Sequence, residues 1–329
     1  MNIGPLTLSS RVILAPMAGI SDLAYRQTMK PFGAGLVYTE MVSAKGLLHS
    51  GRRTRELLRS DPDERPLGIQ LFGSEPDDLA AAAASVAGDG DLIDLNLGCP
   101  VNKVIRGGAG SALLREPQRV GRIIAAVRRA VSCPLTIKIR SGWDNIGINY
   151  LDIGRIAAEE GADAITLHPR TRAQGFTGSA DWQQIGVLKA ALRIPVIGSG
   201  DIMSGDDARR MVETTGCDGV MIGRGGYGNP WLIRDAVRAL DGLPPQPAPT
   251  AAERQDVALA HLARQVTLIG PAKAVLEMRK HLCWYARGLP GAAAFRSAVN
   301  QTFTLDDLRS LVQDFFQSSP HADEAAYVP

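Results

Sequence analysis

The sequence is short of cysteine. Its four, Cys99, Cys133, Cys217 and Cys283, are scattered over 329 residues with no C-x-x-C pair. That argues against a zinc ribbon, an iron–sulfur cluster or a disulfide framework, and it fits a reducing cytoplasm. No apolar run is long enough to cross a bilayer. Residues 1–10 lack the basic stretch and apolar run of a secretory leader. A cytoplasmic protein with no metal site and no membrane partner is therefore expected. Excess charge is missing too: 36 Lys+Arg against 34 Asp+Glu leave +2. Any polyanion partner must then be held by a local patch, not by a global field. No repeat of solenoid type appears. What is present is ordinary for a globular protein, at 45% apolar and 21% charged residues. The length allows one large barrel plus a small domain.

Short apolar runs recur between helical stretches. They predict strands at 12–15, 36–39, 67–71, 92–95, 135–139, 164–167, 196–198 and 220–222. Between them, helical patterns run over 76–87, 117–130, 150–160, 204–214 and 230–240. Pro76 and Pro117 stand where helices start, and Ser204 opens a Ser-x-x-Asp pattern. A second helix falls somewhere within 43–58. Eight strands alternating with helices fit an α/β fold of the (β/α)8 TIM-barrel type over residues 1–241. Residues 242–250 carry four prolines and predict a stiff linker. A smaller all-helical C-terminal domain follows over 251–317, with helices at 251–269, 271–287, 292–301 and 305–317. Residues 318–329 read as a flexible tail.

The stretch 91–114 organises the rest. Leu92, Ile93 and Leu95 suit a strand buried on both faces. Gly98 and Pro100 then bracket Cys99 on a turn at the strand's carboxyl end, where parallel sheets carry their chemistry. A glycine-rich run with Lys103 and Arg106 follows, suited to a loop that moves or closely approaches a ligand. In such a barrel the strand ends share one mouth. They bring together Pro16, Met17 and Ala18, then Glu40, Gln70, Asn96 and Cys99, then Lys138 and Arg140, and His168 and Arg170. Ser199, Gly200 and Asp201 follow the seventh strand, and Gly223 and Arg224 the eighth. Lys138 faces inward with Arg140, a costly place for a cation unless an anion, a carboxylate or an electron-rich ring sits opposite.

The glycines after strands seven and eight suit a phosphate held on backbone N–H groups, with Arg224 adding a charged fork. Residues 223–228 match G-x-G-x-x-G, yet the chain runs on into the proline linker where a dinucleotide site needs a strand ending in an acidic residue. A mononucleotide phosphate cradle is the better reading. Asp201, expected at the start of the seventh helix, favours that helix's dipole. On the helix at 271–287, Lys273, Glu277, Lys280, Trp284 and Arg287 share one face, and Val275, Met278, Leu282 and Tyr285 form the opposite, core-facing stripe. A basic face carrying a tryptophan suits a nucleic-acid backbone.

Several blocks together resemble the tRNA-dihydrouridine synthase family over nearly the full length. They are L-A-P-M-A-G-I-S-D from Leu14, D-L-N-L-G-C-P from Asp94, G-G-A-G-S-A-L-L from Gly107 and I-K-I-R-S-G-W from Ile137. L-H-P-R-T-R from Leu167, I-P-V-I-G-S-G-D-I from Ile194 and V-M-I-G-R-G from Val220 continue the series. The opening I-G-P-L-T-L and the helical block from Pro271 to Tyr285 look like the bacterial B branch. The resemblance implies FMN as cofactor, NADPH as reductant, and reduction of the C5=C6 bond of uridine in the D-arm of tRNA. It makes Cys99 the proton donor and places Lys138 beside the flavin's pyrimidine edge. It assigns Gln70 to the flavin ring, Asn96 and Arg140 to the target base, and Pro16, Met17 and Ala18 to the segment under the ring. His168, Ser199, Gly200, Asp201, Gly223 and Arg224 fall to the cofactor and its phosphate, and Lys273, Lys280, Trp284 and Arg287 to the RNA. Two positions depart from the family pattern. Ser199 stands where an asparagine is usual, and Pro169 stands where glycine or alanine is usual, so one backbone N–H is lost. Two other readings remain open, a reductase of free pyrimidines and a tRNA-binding flavoprotein without turnover.

Overall fold

The structure is a computed structural model that describes residues 1–49 and 51–318, so all but one position of the expected tail lies outside the described residues. Eight parallel strands, each short and apolar, form the central sheet: β1 (Val12–Leu14), β2 (Val37–Tyr38), β3 (Leu67–Phe72), β4 (Leu92–Leu97), β5 (Leu135–Arg140), β6 (Ala164–His168), β7 (Val196–Ser199) and β8 (Gly219–Ile222). Neighbours in sequence are neighbours in the sheet, and β8 pairs back onto β1. A bridge between Ile13 and Leu36 closes the ring. Outward residues such as Ile69, Ile93, Ile137 and Ile165 pack against the surrounding helices. Inward ones, including Ile13, Leu36, Leu92, Ala164, Ile197 and Met221, fill the lower barrel. The alternation of a strand is thus divided between two cores, as the fold requires.

All eight expected strands and the five expected barrel helices form, with ends shifted by at most two residues. Three features differ from expectation. A hairpin of Asn2–Ile3 with Leu6–Thr7 precedes the barrel, and its Ile3, with Leu8, joins the inner core at the N-terminal end of the strands. Two-residue strands are too short to carry a visible alternation. The second strand position is broken, with Val42–Ser43 pairing separately to β3. Between the pieces Glu40 turns away to accept a hydrogen bond from the Gly19 N–H. The helix expected within 43–58 is two short helices, Ala44–Leu48 and Arg52–Glu56, the second with Gly51 at its N-cap.

One buried ion pair ties the base of the first helix, Leu23–Met29, to the loop before β3. Arg26 Nε lies 2.6 Å from Glu64, both side chains are nearly inaccessible, and the guanidinium also donates to the carbonyls of Ser21 and Arg59. Removing one partner leaves an uncompensated charge inside the protein. Glu64→Ala should therefore lower unfolding stability by about 3–5 kcal/mol, read as a shift in the urea midpoint. A loss under 1 kcal/mol would show the pair to be dispensable.

Beyond the helix Trp231–Leu240 the chain runs without regular structure over 243–250, held by Arg238 to the Pro244 carbonyl at 2.8 Å and by Arg234 to the Pro247 carbonyl at 3.1 Å. Four helices follow: Ala251–Ile269, Pro271–Tyr285, Ala292–Gln301 and Leu305–Gln317. The first opens on a capping box in which Thr250 and Glu253 satisfy each other's backbone N–H. These helices close on a core of their own, which includes Val275, Met278, Leu282, Tyr285, Phe295 and Phe316. The second helix stops at Tyr285, so Arg287 lies past its end.

Candidate functional site

The upper barrel is polar from the floor up. Asp94 sits at the level of Gln70 and Thr136 in the strand register and accepts from both, at 2.6 Å each. Burial raises its carboxyl pKa to about 6, against the pull of those hydrogen bonds and of Lys138. Gln70 is fully buried, and its carbonyl accepts from Asn96 Nδ2 at 2.8 Å. Asn96 Oδ1 in turn accepts the backbone N–H groups of Gly98 and Cys99. Sequence reasoning placed Gln70 at the cofactor. The structure sets it one level below the cavity, where it orients Asn96 and through it the Cys99 turn.

Above this floor a cavity of about 310 Å³ opens at the carboxyl ends of the strands. It brings together Pro16, Met17 and Ala18, Asn96 and Cys99, Lys138 and Arg140, His168, Ser199 to Asp201, and Gly223 with Arg224. The glycine-rich run folds under Cys99. Ser111 donates to the Cys99 carbonyl from both its hydroxyl and its N–H, and Gly110, at φ +61°, lies so close that a Cβ there would stand 2.8 Å from that carbonyl. Burial raises the thiol's pKa, although the Val101 backbone and the Arg140 and Lys138 charges pull it down. Cys99 is thus a protonated thiol at neutral pH.

Cations converge on the same space. Lys138 has no carboxylate within ion-pair distance among the described residues. Burial first, and Arg140 second, lower its pKa to about 8. Arg140 is anchored by the carbonyls of Gly98, Thr171 and Gly175, and among the described residues its Nη2 donates to no protein acceptor. Burial and the surrounding Lys138, Arg140, Arg170 and Arg224 push His168 down to about 2, so it is neutral. Its Nε2 lies 3.3 Å from the Arg170 guanidinium, which can only donate. Nε2 is therefore the acceptor and Nδ1 carries the proton.

At the far wall, Arg170, only 2% exposed, grips Asp201 with two parallel hydrogen bonds of 2.8 and 2.7 Å. Burial raises the Asp201 carboxyl, but this grip, the Ala180 N–H and Arg224 overcome it and hold its pKa below the usual range. Asp201 lies outside the first turn of the helix whose dipole it was expected to favour. The next helix, Gly205–Thr215, starts four residues on and is capped by Ser204. Instead Gly200 at φ +111° and Asp201 at φ +55° turn the chain through the left-handed region at the cavity wall. A Cβ at Gly200 would meet His168 at 2.8 Å. Two aromatic walls escaped sequence reasoning. Phe176, 52% exposed, lies against Arg224 at 4.2 Å and Arg140 at 5.3 Å. Tyr227 closes the β8 side. Their positions within Gly-Phe-Thr-Gly and Gly-Gly-Tyr-Gly were the available signal.

On the helix Pro271–Tyr285 the expected core stripe is buried, while the opposite face meets the barrel. Lys280 donates to the Gly19 carbonyl, beside the Glu40 contact. Trp284 stacks on Tyr227 with ring centres 4.2 Å apart and planes 13° from parallel. Gly228, at φ +65°, lets the β8 loop approach this helix so closely that a Cβ would fall 2.4 Å from the Trp284 backbone. Lys273 pairs with Glu277 at 3.4 Å in the open, and Arg287 is half-buried. Heptad spacing separated the two faces of this helix but could not tell that the outer one covers the cavity mouth.

Comparison with known proteins gives this arrangement its context. The family model described as dihydrouridine synthase matches residues 13–319. The probable tRNA-dihydrouridine synthase of Mycobacterium tuberculosis is 41% identical over 338 residues, covering 99% of this chain and 87% of the relative. The tRNA-dihydrouridine synthase B of Pseudomonas aeruginosa is 41% identical over 320 residues, covering 96% of each. Among solved structures, a 2-naphthoyl-CoA reductase complex shares the fold at a TM-score of 0.58 and 12% identity, over 74% of this chain and 52% of that one. A match across nearly the whole length, joined to relatives at this identity, leaves one assignment: the chain belongs to the dihydrouridine synthase family.

Proposed function

We propose that this protein reduces the C5=C6 bond of a uridine in the D-arm of tRNA to 5,6-dihydrouridine, with FMN as resident cofactor, NADPH as reductant and Cys99 as proton donor. The observation that carries the reading is Lys138, a cation inside the cavity with no carboxylate in ion-pair distance among the described residues, next to a protonated thiol. A group with an anionic head and an electron-rich edge satisfies both Lys138 and the glycine loops with Arg224, and FMN has both. Bound there, the flavin supplies the hydride that C6 of the base receives.

The residues of the chain supply the rest. The Cys99 thiol gives a proton to C5 and is buried enough to hold it until then. Asn96 keeps one amide hydrogen, and Arg140 its Nη2, for the carbonyl oxygens of the uracil. Arg224, Ser199, Gly200 and Gly223 serve the phosphate. The target base must leave its stack to reach this depth, so it enters flipped. Residues 1–241 act as the catalytic barrel, 242–250 as a linker and 251–317 as the RNA-binding helical domain, in which Lys273 and Arg287 are open to a backbone while Lys280 and Trp284 set the domain on the mouth. A cytoplasmic site of action belongs to the same reading, and the four free thiols support it.

Purified protein should be yellow with one FMN per chain, and tRNA from a strain lacking the gene should lose dihydrouridine at defined D-loop positions that the purified enzyme restores. Release of FAD, or reduction of free uracil as fast as of tRNA, would favour the free-base reductase.

A further inference from the structure

The helical region covers only one side of the cavity mouth. Its contacts fall on Gly19 after β1, Thr28 in the first helix and Tyr227 after β8. In an eight-membered ring the opposite side is built by the loops after β4, β5 and β6. Those loops, residues 98–116, 140–149 and 169–182, contain six basic residues (Lys103, Arg106, Arg115, Arg140, Arg170, Arg172) against three acids, Glu116, Asp144 and Asp181. Glu116 pairs with Arg119 at 3.3 Å, and Asp181 accepts from the Gln183 N–H and from Gln184 Nε2. Asp144 is occupied within its own loop, accepting the N–H groups of Ile146 and Gly147 at 3.0 and 2.8 Å. Arg140 and Arg170 are buried in the site already described. Lys103, Arg106 and Arg115 are exposed and Arg172 is half-buried, and they are absorbed by no part of that site.

Arg115 and Arg172 are also ordered with respect to one another. The Trp143 ring stands between two guanidiniums, with Arg172 at 4.6 Å and Arg115 at 5.0 Å from its centre. Arg172 reaches on to Asn102 Oδ1 at 3.3 Å. Asn102 follows Val101, which is 54% exposed and lines the cavity. A stripe of cations and one aromatic ring therefore leads from the Cys99 turn outward over the far rim.

We propose that this stripe, Lys103, Arg106, Arg115 and Arg172 around Trp143, is a second RNA-binding surface that takes the phosphodiester backbone on the side of the mouth away from the helical domain. The inference rests on the tRNA reading above and adds where the strand goes. A flipped nucleotide is held by the backbone on both its sides, so a strand gripped only at the helical domain leaves one flank of the target free. Cations spread over three loops suit an extended polyanion. An arginine packed over a tryptophan ring is pre-oriented at little entropic cost and keeps donors free for phosphate. A dinucleotide such as NADPH is the competing occupant, because it must reach the same mouth.

The test compares wild-type holoenzyme with two variants, Arg115→Glu/Arg172→Glu and Lys103→Glu/Arg106→Glu; the second leaves the Trp143 cluster intact. Three quantities are read: tRNA affinity against salt, the rate of flavin reduction by NADPH, and the KM for NADPH. Each variant should bind tRNA at least about tenfold more weakly at low salt, with a salt dependence shallower by about one to two, while flavin reduction stays within about twofold of wild type. Unchanged affinity and slope in both variants overturns the proposal. So does a raised KM for NADPH at unchanged tRNA affinity, which assigns the stripe to the dinucleotide. Wild-type protein that does not bind tRNA overturns the proposed function, and this surface with it.

Discussion

Cys99→Ala should cut dihydrouridine formation by a factor on the order of 10²–10⁴, the usual loss when a general acid is removed. Flavin binding and its reduction by NADPH should continue at the wild-type rate. The expectation follows from the division of labour in the cavity. In the proposed reading the cations and the loops after β7 and β8 serve the cofactor, while the thiol, held on its turn by Asn96 and Ser111, touches neither Lys138 nor those loops by hydrogen bond. Burial keeps the thiol protonated, so activity should hold across neutral pH and fall at alkaline pH as the proton is lost. Single-turnover mixing of the reduced enzyme with unmodified tRNA separates the two halves of the reaction. A variant that modifies tRNA at the wild-type rate would make Cys99 a structural residue.

Lys138→Met should have an opposite pair of effects, slower chemistry and a more stable apoprotein. Without the cation, reduction of the flavin by NADPH should slow by a factor on the order of 10², comparable to losing one preorganised charge-stabilising donor. Stability moves the other way. The folded-state pKa of Lys138, about 8, lies below the ordinary lysine value of 10.5. The unfolded chain therefore binds the proton more tightly, so the charged lysine destabilises the fold fully below about pH 8, and the penalty fades as pH rises from about 8 to 10.5. Methionine, similar in length and uncharged, removes it. Flavin-free Lys138→Met should be more stable than flavin-free wild type by about 1–3 kcal/mol at pH 6.5, with a smaller gain at pH 9.5, measured by urea unfolding. A destabilised variant at pH 6.5 would mean the lysine has a partner in the fold, and its assignment to the cofactor would fail.

The barrel was readable because each strand is a short apolar run ended by glycine, proline or a polar residue. Leu135 to Arg140 shows why the site was readable as well: two inward cations alternate with two outward isoleucines, and only the mouth of a barrel gives such residues a use. What escaped was tertiary. Nothing local marks Gln70 as lying below the cavity, since its height depends on the register of β3 against β4. The Ser204 cap and the helix after it were legible, but the left-handed turn at Gly200 and Asp201, which sets Asp201 three residues before that cap and against Arg170, was not. Lys280 and Trp284 lie on a polar face by any helical pattern. Their docking on Gly19 and Tyr227 is decided by residues more than 50 positions away, through a linker whose path no local rule gives.

The hairpin at Asn2 to Thr7 has a kinetic meaning. With Ile3 and Leu8 plugging the barrel from below, the route to the cofactor seat runs through the upper rim, where Cys99, Phe176 and Tyr227 already stand. On the proposed function, electron donor and acceptor would take turns at one door. Occupancy by either would shut out the other, the reduced enzyme would have to survive with the doorway vacant, and a high level of one partner would slow the cycle by blocking the second.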